Sequence, residues 1–381
     1  MSQAHSRCSV EHAQHIPHRR SKGILIMVKN FYPIGAGLII GALALALAIN
    51  GNPPNMGVCV ACFLRDTAGA LKLHQAAPVA YLRPEILGMI LGAFIAAVAA
   101  KEFRPAAGSS PFIRLLIGFF MMVGALVFLG CPLRMVLRIA GGDLNAVVGL
   151  VGFVSGIGVG VFFLMRQFAL PPNTQQPKFE GLFFPLVCLL LLVLGLYKSD
   201  LFASSVQGPG SMRAPVVLSL VAGLFIGALV QRTRFCFIGM ISHIFLMKRF
   251  TMLLGVVALT LVVLAGNLYL GRFHLGFDAQ PIAHSDGVWN FLSMLLVGLG
   301  GALIGGCPLR QLVGAGQGNN DNVMTVIGMV LGAAAAHNFA WASSAAGVTD
   351  GGKVVVMVGL AVTLAVAVYY TVIRGQGFGK K

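Results

Sequence analysis

The sequence predicts an all-α polytopic membrane protein built from two inverted repeats, and three observations carry that expectation. Of 381 residues, 57% are hydrophobic and only 10% are charged, with a mean hydropathy of +0.87, far from the composition of a soluble domain. Apolar runs near the ~20 residues that cross a bilayer core recur along the chain. The pentapeptide GCPLR stands at 130–134 and again at 306–310, each time after a long apolar run.

The predicted spans, in order, are 34–49, 84–100, 112–129, 146–165, 181–197, 214–230, 251–270, 288–304, 322–342 and 353–373, about ten in all. The first is short, and the ninth is interrupted by His337 and Asn338. The net charge of +16 reflects Lys and Arg at span ends, and no basic run interleaved with aromatics points to nucleic acid. With the N-terminus inside, 18 of the 27 Lys and Arg fall in inside segments and 9 in outside ones. That bias predicts both termini on the cytoplasmic side of the membrane. Residues 1–30, with His5, His12, His15 and His18, read as a disordered cytoplasmic tail; the folded part is expected to start near Met27.

Without gaps, 130–156 aligns with 306–332 at ten of 27 positions, pairing Gly142 with Gly318, Gly152 with Gly328 and Gly156 with Gly332. Upstream, Cys59 in GVCVACFLRD lies 72 residues before Cys131, and Cys236 in RFCFIGMISH lies 71 before Cys307. Each half therefore reads span, cysteine segment, two spans, GCPLR, span, which is an internal duplication. One extra span at 181–197 separates the halves, so the second copy begins after five crossings and is inverted, a common transporter plan. The expected organisation is a first membrane repeat at 31–170, a linker with one span at 171–205, a second repeat at 206–345, and a C-terminal span with a basic tail at 346–381.

After GCPLR the chain reaches only Gly141–Gly142, or Gly314, before another loop. Each copy is therefore expected to be a short re-entrant helix, allowed at depth only where it lines a cavity or is buried in protein. Pro132 and Pro308 suit the first helical position, which has no N–H partner to lose, and this places Cys131 and Cys307 at the N-cap. A thiol there faces unpaired N–H groups and the positive helix end, a setting that attracts anions, and Arg134 and Arg310 one turn on add positive potential. The segments 57–72 and 234–248 are expected to form two further re-entrant loops carrying Cys59 and Cys236, with Gly57, Phe63, Phe235, Phe237 and Gly239 suiting a narrow neck.

Cys59 and Cys62 form a C-x-x-C, the spacing of a redox dithiol or half a zinc site. The duplicate has Gly239 in place of Cys62, and no second C-x-x-C completes a metal site. Arg65–Asp66 reads as an ion pair within the loop. Cys188 is expected to be packing or lipid-facing surface, Cys8 belongs to the tail, and Asp350, Lys353 and Trp341 read as interfacial anchors. No disulfide scaffold, cofactor or ATP-binding loop is expected.

These motifs together, GVCVACFLRD, QRTRFCFIGM and two GCPLR copies, resemble the YeeE/YedE family of bacterial inner-membrane proteins, over roughly 31–375, and within it the YedE branch associated with selenium metabolism. The resemblance implies an hourglass of inverted repeats that imports a small sulfur- or selenium-containing species such as thiosulfate, selenite or selenide. It implies substrate contacts by Cys59, Cys62, Cys131, Cys236 and Cys307, and a cytoplasmic TusA/SirA-like sulfur carrier as partner. The second half departs from the family's arginine–aspartate pair, having Ser242–His243. Two other readings stay open: a membrane thiol oxidoreductase using Cys59–Cys62, and a channel for a small neutral solute.

Overall fold

The computed structural model describes residues 19–377. The four tail histidines, Cys8 and the last four residues lie outside the described residues. The helices of the first half are α1 (Arg19–Ile49), α2 (Val60–Ala70), α3 (Pro84–Ala99), α4 (Pro111–Val127), α5 (Pro132–Ile139) and α6 (Leu144–Met165), followed by the extra helix α7 (Lys178–Tyr197). The second half holds α8 (Val216–Thr233), α9 (Phe237–Met247), α10 (Thr251–Tyr269), α11 (Gly287–Ile304), α12 (Pro308–Gly316) and α13 (Asn320–Asn338), followed by α14 (Asp350–Gly377).

Ten of these helices match the ten predicted apolar runs, and among the described residues nine are long and apolar enough to cross a membrane. The tenth, α13, has 19 residues but carries polar ends, with Asn320, Asp321 and Asn322 at one and His337 and Asn338 at the other. The remaining four, α2, α5, α9 and α12, have 8 to 11 residues. At 1.5 Å per residue they extend roughly 12–16 Å, about half of a bilayer core. Helix α12 ends at Gly316, two residues past the predicted stop. Pro84, Pro111, Pro132 and Pro308 each open a helix at its first position.

Four helix pairs hold the molecule together, α1 with α10, α3 with α8, α4 with α13 and α6 with α11. Each pair takes one helix from either repeat. A Cβ on Gly37 would lie 1.9 Å from Gly255 O, and one on Gly92, Gly152 or Gly328 would lie 2.1 Å from Leu224 O, Phe291 O or Leu115 O. The backbones therefore touch, as small residues permit between membrane helices. In every pair the contacts advance together: Gly152 meets Phe291 and Gly156 meets Leu295, while Gly328 meets Leu115 and Gly332 meets Phe119. The paired helices are parallel. Because α8 runs with α3, and α3 runs against α1, the matching helices α1 and α8 point in opposite directions, so the repeats are inverted.

We call the side where α1 begins the N-face and the opposite side the far face. The loop before α11 grips the far-face end of α5 through a parallel bridge, Asp143 to Gly276, and the loop before α4 grips the end of α12 through the matching bridge, Asn319 to Ala106. Asp143 and Asn319 also cap α6 and α13 with their side chains. Gly142 (φ +94°) and Gly318 (φ +87°), aligned in the duplication, make the left-handed turns before these caps. Outside the repeats, α7 packs on α3 and α14 on α4 and α11, and large apolar side chains such as Phe183, Leu190, Val354 and Val368 face outward, as lipid contact requires.

A leucine at Gly37 or Gly152 is expected to force paired helices apart, at a cost of ~1–3 kcal/mol each from overpacking. Alanine at Gly35, where an added Cβ meets nothing within 4 Å, should be neutral. Thermal unfolding followed by size-exclusion chromatography in detergent checks this.

Candidate functional site

Four predicted cysteines come together as two pairs, one per repeat. Cys59 and Cys236 are N-caps of α2 and α9 with extended backbones, and their sulfurs accept hydrogen bonds from the N–H groups of Cys62 and Gly239, both at 3.3 Å. Cys131 and Cys307 are N-caps of α5 and α12, with proline at the next position. The Cys59 thiol lies 3.8 Å from the Cys131 sulfur, and the Cys236 thiol 3.8 Å from that of Cys307. Both contacts join a helix tip to a helix tip, which only breaks in the helices can present. Helix α2 also packs on α12 and α13, and α9 on α6, so each cysteine helix lies against the other repeat.

The first pair is sealed, with Cys59 and Cys62 at 0% and Cys131 at 1% exposure, and the second is nearly so, with Cys236 at 7% and Cys307 at 1%. The cavity lined by Tyr81, Leu192, Phe202 and Arg213 and the one lined by Phe112, Val362 and Tyr370 contain no cysteine. The six described cysteines, buried Cys188 among them, are free thiols. Among the described residues no three His, Cys, Asp or Glu side chains converge as metal ligands would.

The two GCPLR arginines differ. Arg134 is fully buried: its Nε donates to Asn55 O at 3.3 Å, Nη2 to Ile282 O at 3.1 Å, and Nη1 to Leu129 O and, at 3.5 Å, to the sulfur of Cys62. Arg310 has one such contact, from Nη2 to Gln317 Oε1 at 3.4 Å, and its buried Nη1 has no partner.

The far face encloses a charged cluster that exceeds the predicted Arg65–Asp66 pair. Asp66 accepts from Arg65 Nη2 at 2.7 Å and from Arg83 Nε at 2.8 Å. Arg83 also donates to Pro209 O and Met212 O, and its guanidinium lies over the Phe63 ring, 4.5 Å from the centroid. Asn52 links this cluster to Glu85. A second ion pair, Arg138 to Asp143 at 2.6 Å, fastens α5 to the start of α6. The arginines of this side are thus enclosed and held by internal carboxylates and carbonyls, because burial leaves a guanidinium no water to pair with.

Two histidines cap carbonyls beside these clusters. His74 bonds Arg65 O in the middle of α2 at 3.0 Å, and His284 bonds Val127 O at the end of α4 at 2.8 Å. Each ring also accepts the N–H two residues on, Ala76 and Asp286, which fixes the proton on Nε2. Burial, with the Arg65 charge, lowers the pKa of His74 and keeps it neutral. His337 lies against His74 with centroids 4.7 Å apart and the ring planes tilted, its buried Nε2 without a partner, and Asn338 donates to Leu73 O, so the polar end of α13 lies on the loop after α2.

On the N-face, Glu102 receives Gln231 Nε2 at 2.7 Å and Arg232 and Arg234 at 3.1 Å each. The Gln231 amide, and then Arg234 and Arg232, hold its carboxyl below the ordinary carboxylate range. Sequence reading passed over Arg83, Glu102, Arg234 and Gln317, since a charged or polar residue near a span end looks like an ordinary interfacial anchor.

Asp66→Asn should destabilise the protein by ~3–5 kcal/mol, the cost of leaving a buried ion pair broken, and more than Arg65→Gln, because Asp66 answers two guanidinium groups. Thermal unfolding of the purified variants measures both.

The model of the sulphur transport family matches residues 4–132 and 232–376. No curated protein matches the chain. The first matched stretch contains Cys59 and Cys131 and the second Cys236 and Cys307, so each contains one thiol pair. Together they cover more than half of the chain, and this multi-pass membrane protein belongs to the YeeE/YedE sulphur transport family.

Proposed function

We propose that the protein imports a small sulfur- or selenium-containing species, a thiosulfate-like anion, selenite or selenide, across the bacterial inner membrane by way of its two thiol pairs. The N-face is then cytoplasmic, in line with the bias of Lys and Arg toward it. The observation that carries this reading is the repeated geometry: two thiols in contact at 3.8 Å, at the tips of two broken helices, once in each inverted repeat.

The chemistry of the contact supports it. An S–H lies between the sulfurs of each pair, so a pair in this arrangement retains at least one proton and does not present two thiolates to an anion. A neutral S–H is a weak, soft donor. It can bond the terminal sulfur or selenium of a substrate in place of its partner sulfur and release it again, which conduction requires. Burial of all four sulfurs means that passage needs the short helices to separate, and these are held by few turns each.

A dithiol at Cys59–Cys62 exists in one repeat only, whereas paired thiols exist in both, which favours transport over thiol oxidation. The released species would pass to a cytoplasmic acceptor such as a TusA/SirA-like carrier.

Uptake of radiolabelled thiosulfate or selenite into proteoliposomes tests the reading. Cys131→Ala and Cys307→Ala are each expected to lower uptake about tenfold or more, the loss of one bond made in passage, and Cys62→Ser to retain most of it. Full uptake by Cys307→Ala together with loss in Cys62→Ser would overturn it in favour of the dithiol.

A further inference from the structure

The second repeat holds a polar cluster that the first cannot form. Arg234 follows the end of α8 with its backbone in the left-handed region, φ +59°, and precedes Cys236 by two residues. Its Nη1 donates to Gln317 Oε1 at 3.5 Å, and Nη2 of Arg310 donates to the same oxygen at 3.4 Å. Two guanidinium groups thus converge on one neutral acceptor. Arg310 Nη1 and Gln317 Nε2 are both buried and without a partner.

Cations held together by an amide oxygen, with donors left over, are an arrangement that an anion completes. Unmade bonds of buried donors are costly, and forked guanidinium groups match oxyanions. Arg138 also has an unpartnered Nη2, but Asp143 meets its charge at 2.6 Å. Among the described residues the only carboxylate in contact with Arg234 or Arg310 is Glu102, which Arg234 shares with Arg232. Three guanidinium groups face one carboxylate, leaving two positive charges on the side of Cys236, which Arg234 precedes by two residues and which is the most exposed of the paired thiols.

The duplication sharpens the contrast. The position of Arg234 corresponds to Gly57, where an added Cβ would lie 1.9 Å from Ala44 O, and that of Gln317 to Gly141, whose Cβ would meet the Asn55 side chain at 2.6 Å. The first repeat has glycine at both places and no room for a side chain. Its own arginine, Arg134, is bound by carbonyls on every nitrogen.

We propose that Arg234, Arg310 and Gln317 form an oxyanion-binding site at the N-face mouth of the second repeat, with Glu102 as the internal carboxylate that the bound anion displaces from Arg234. The ligand class is a small, doubly charged oxyanion of sulfur or selenium. Its oxygens take the guanidinium and amide donors, and a terminal sulfur, where present, is left for the Cys236 thiol. The identity of the ligand rests on the transport reading above; the site does not.

Equilibrium binding of radiolabelled thiosulfate and, separately, sulfate to the full-length protein in detergent tests the proposal. Arg234→Gln and Arg310→Gln should each weaken binding about tenfold or more, in line with the loss of a charge-assisted bond. Glu102→Gln should tighten it about threefold or more by freeing Arg234, and Arg213→Gln on the far face should change nothing. Arg234 is half exposed, so its variant stands even if Arg310→Gln does not fold. Wild-type affinity in Arg234→Gln, or no binding of either anion by the wild-type protein, overturns the site. Tighter binding of thiosulfate than sulfate supports a role for the thiol, and equal binding leaves an oxyanion site without it. Absent uptake with intact, arginine-dependent binding counts against transport alone, whereas intact uptake with unchanged binding in Arg234→Gln counts against the site alone.

Discussion

Backbone contact between helices of opposite repeats is the constraint on which the rest depends. In lipid no hydrophobic force drives one apolar helix onto another, so association rests on close packing and on internal bonds. Glycines at Gly37, Gly92, Gly152 and Gly328 let carbonyl oxygens of the partner helix sit where a side chain would begin. Four such pairs form a frame in which every long helix of one repeat is matched by a parallel long helix of the other. That frame lets α2, α5, α9 and α12 begin within the protein, since their cysteine-bearing N-terminal tips are enclosed by protein rather than lipid.

The frame is close to symmetric and its contents are not. Cysteines, caps and bridges repeat in both halves: Asp143 and Gly276 in one, Asn319 and Ala106 in the other. Apart from Arg134 and Arg310, the charges of the short helices do not repeat. The first half locks its short helices with Arg65, Asp66, Arg83, Arg138 and Asp143, all buried. The second has Ser242 and His243 where the first has Arg65 and Asp66, and Gly314 where it has Arg138. A rigid far-face half thus opposes an N-face half with fewer internal ties, and the partial exposure of Cys236 lies on the looser side.

Buried charge is the most demanding feature of such a chain. An arginine in a spanning bundle is tolerated when its donors meet carbonyls or a carboxylate. Arg83 meets this condition with Asp66, Pro209 and Met212, and Arg134 with Asn55, Leu129 and Ile282. All of those carbonyls but that of Leu129 come from loops distant in sequence, so each arginine also fixes the loop that satisfies it.

Composition, apolar run length and the spacing of the repeated motifs were enough to place the long helices, the four short ones, the inversion and the N-cap positions of Cys131 and Cys307, because each follows from local rules of length, proline and glycine. Even the aligned glycines, Gly152 with Gly328 and Gly156 with Gly332, turned out to mark matching backbone contacts. What no local pattern could reveal was partnership: that Cys59 meets Cys131 and Cys236 meets Cys307, that Asp66 answers Arg83 as well as its neighbour Arg65, and that Arg234 and Arg310 share one amide. Those facts depend on which loops a folded bilayer protein brings side by side, and the need of each buried polar group for an internal partner is settled only when all the helices are in place.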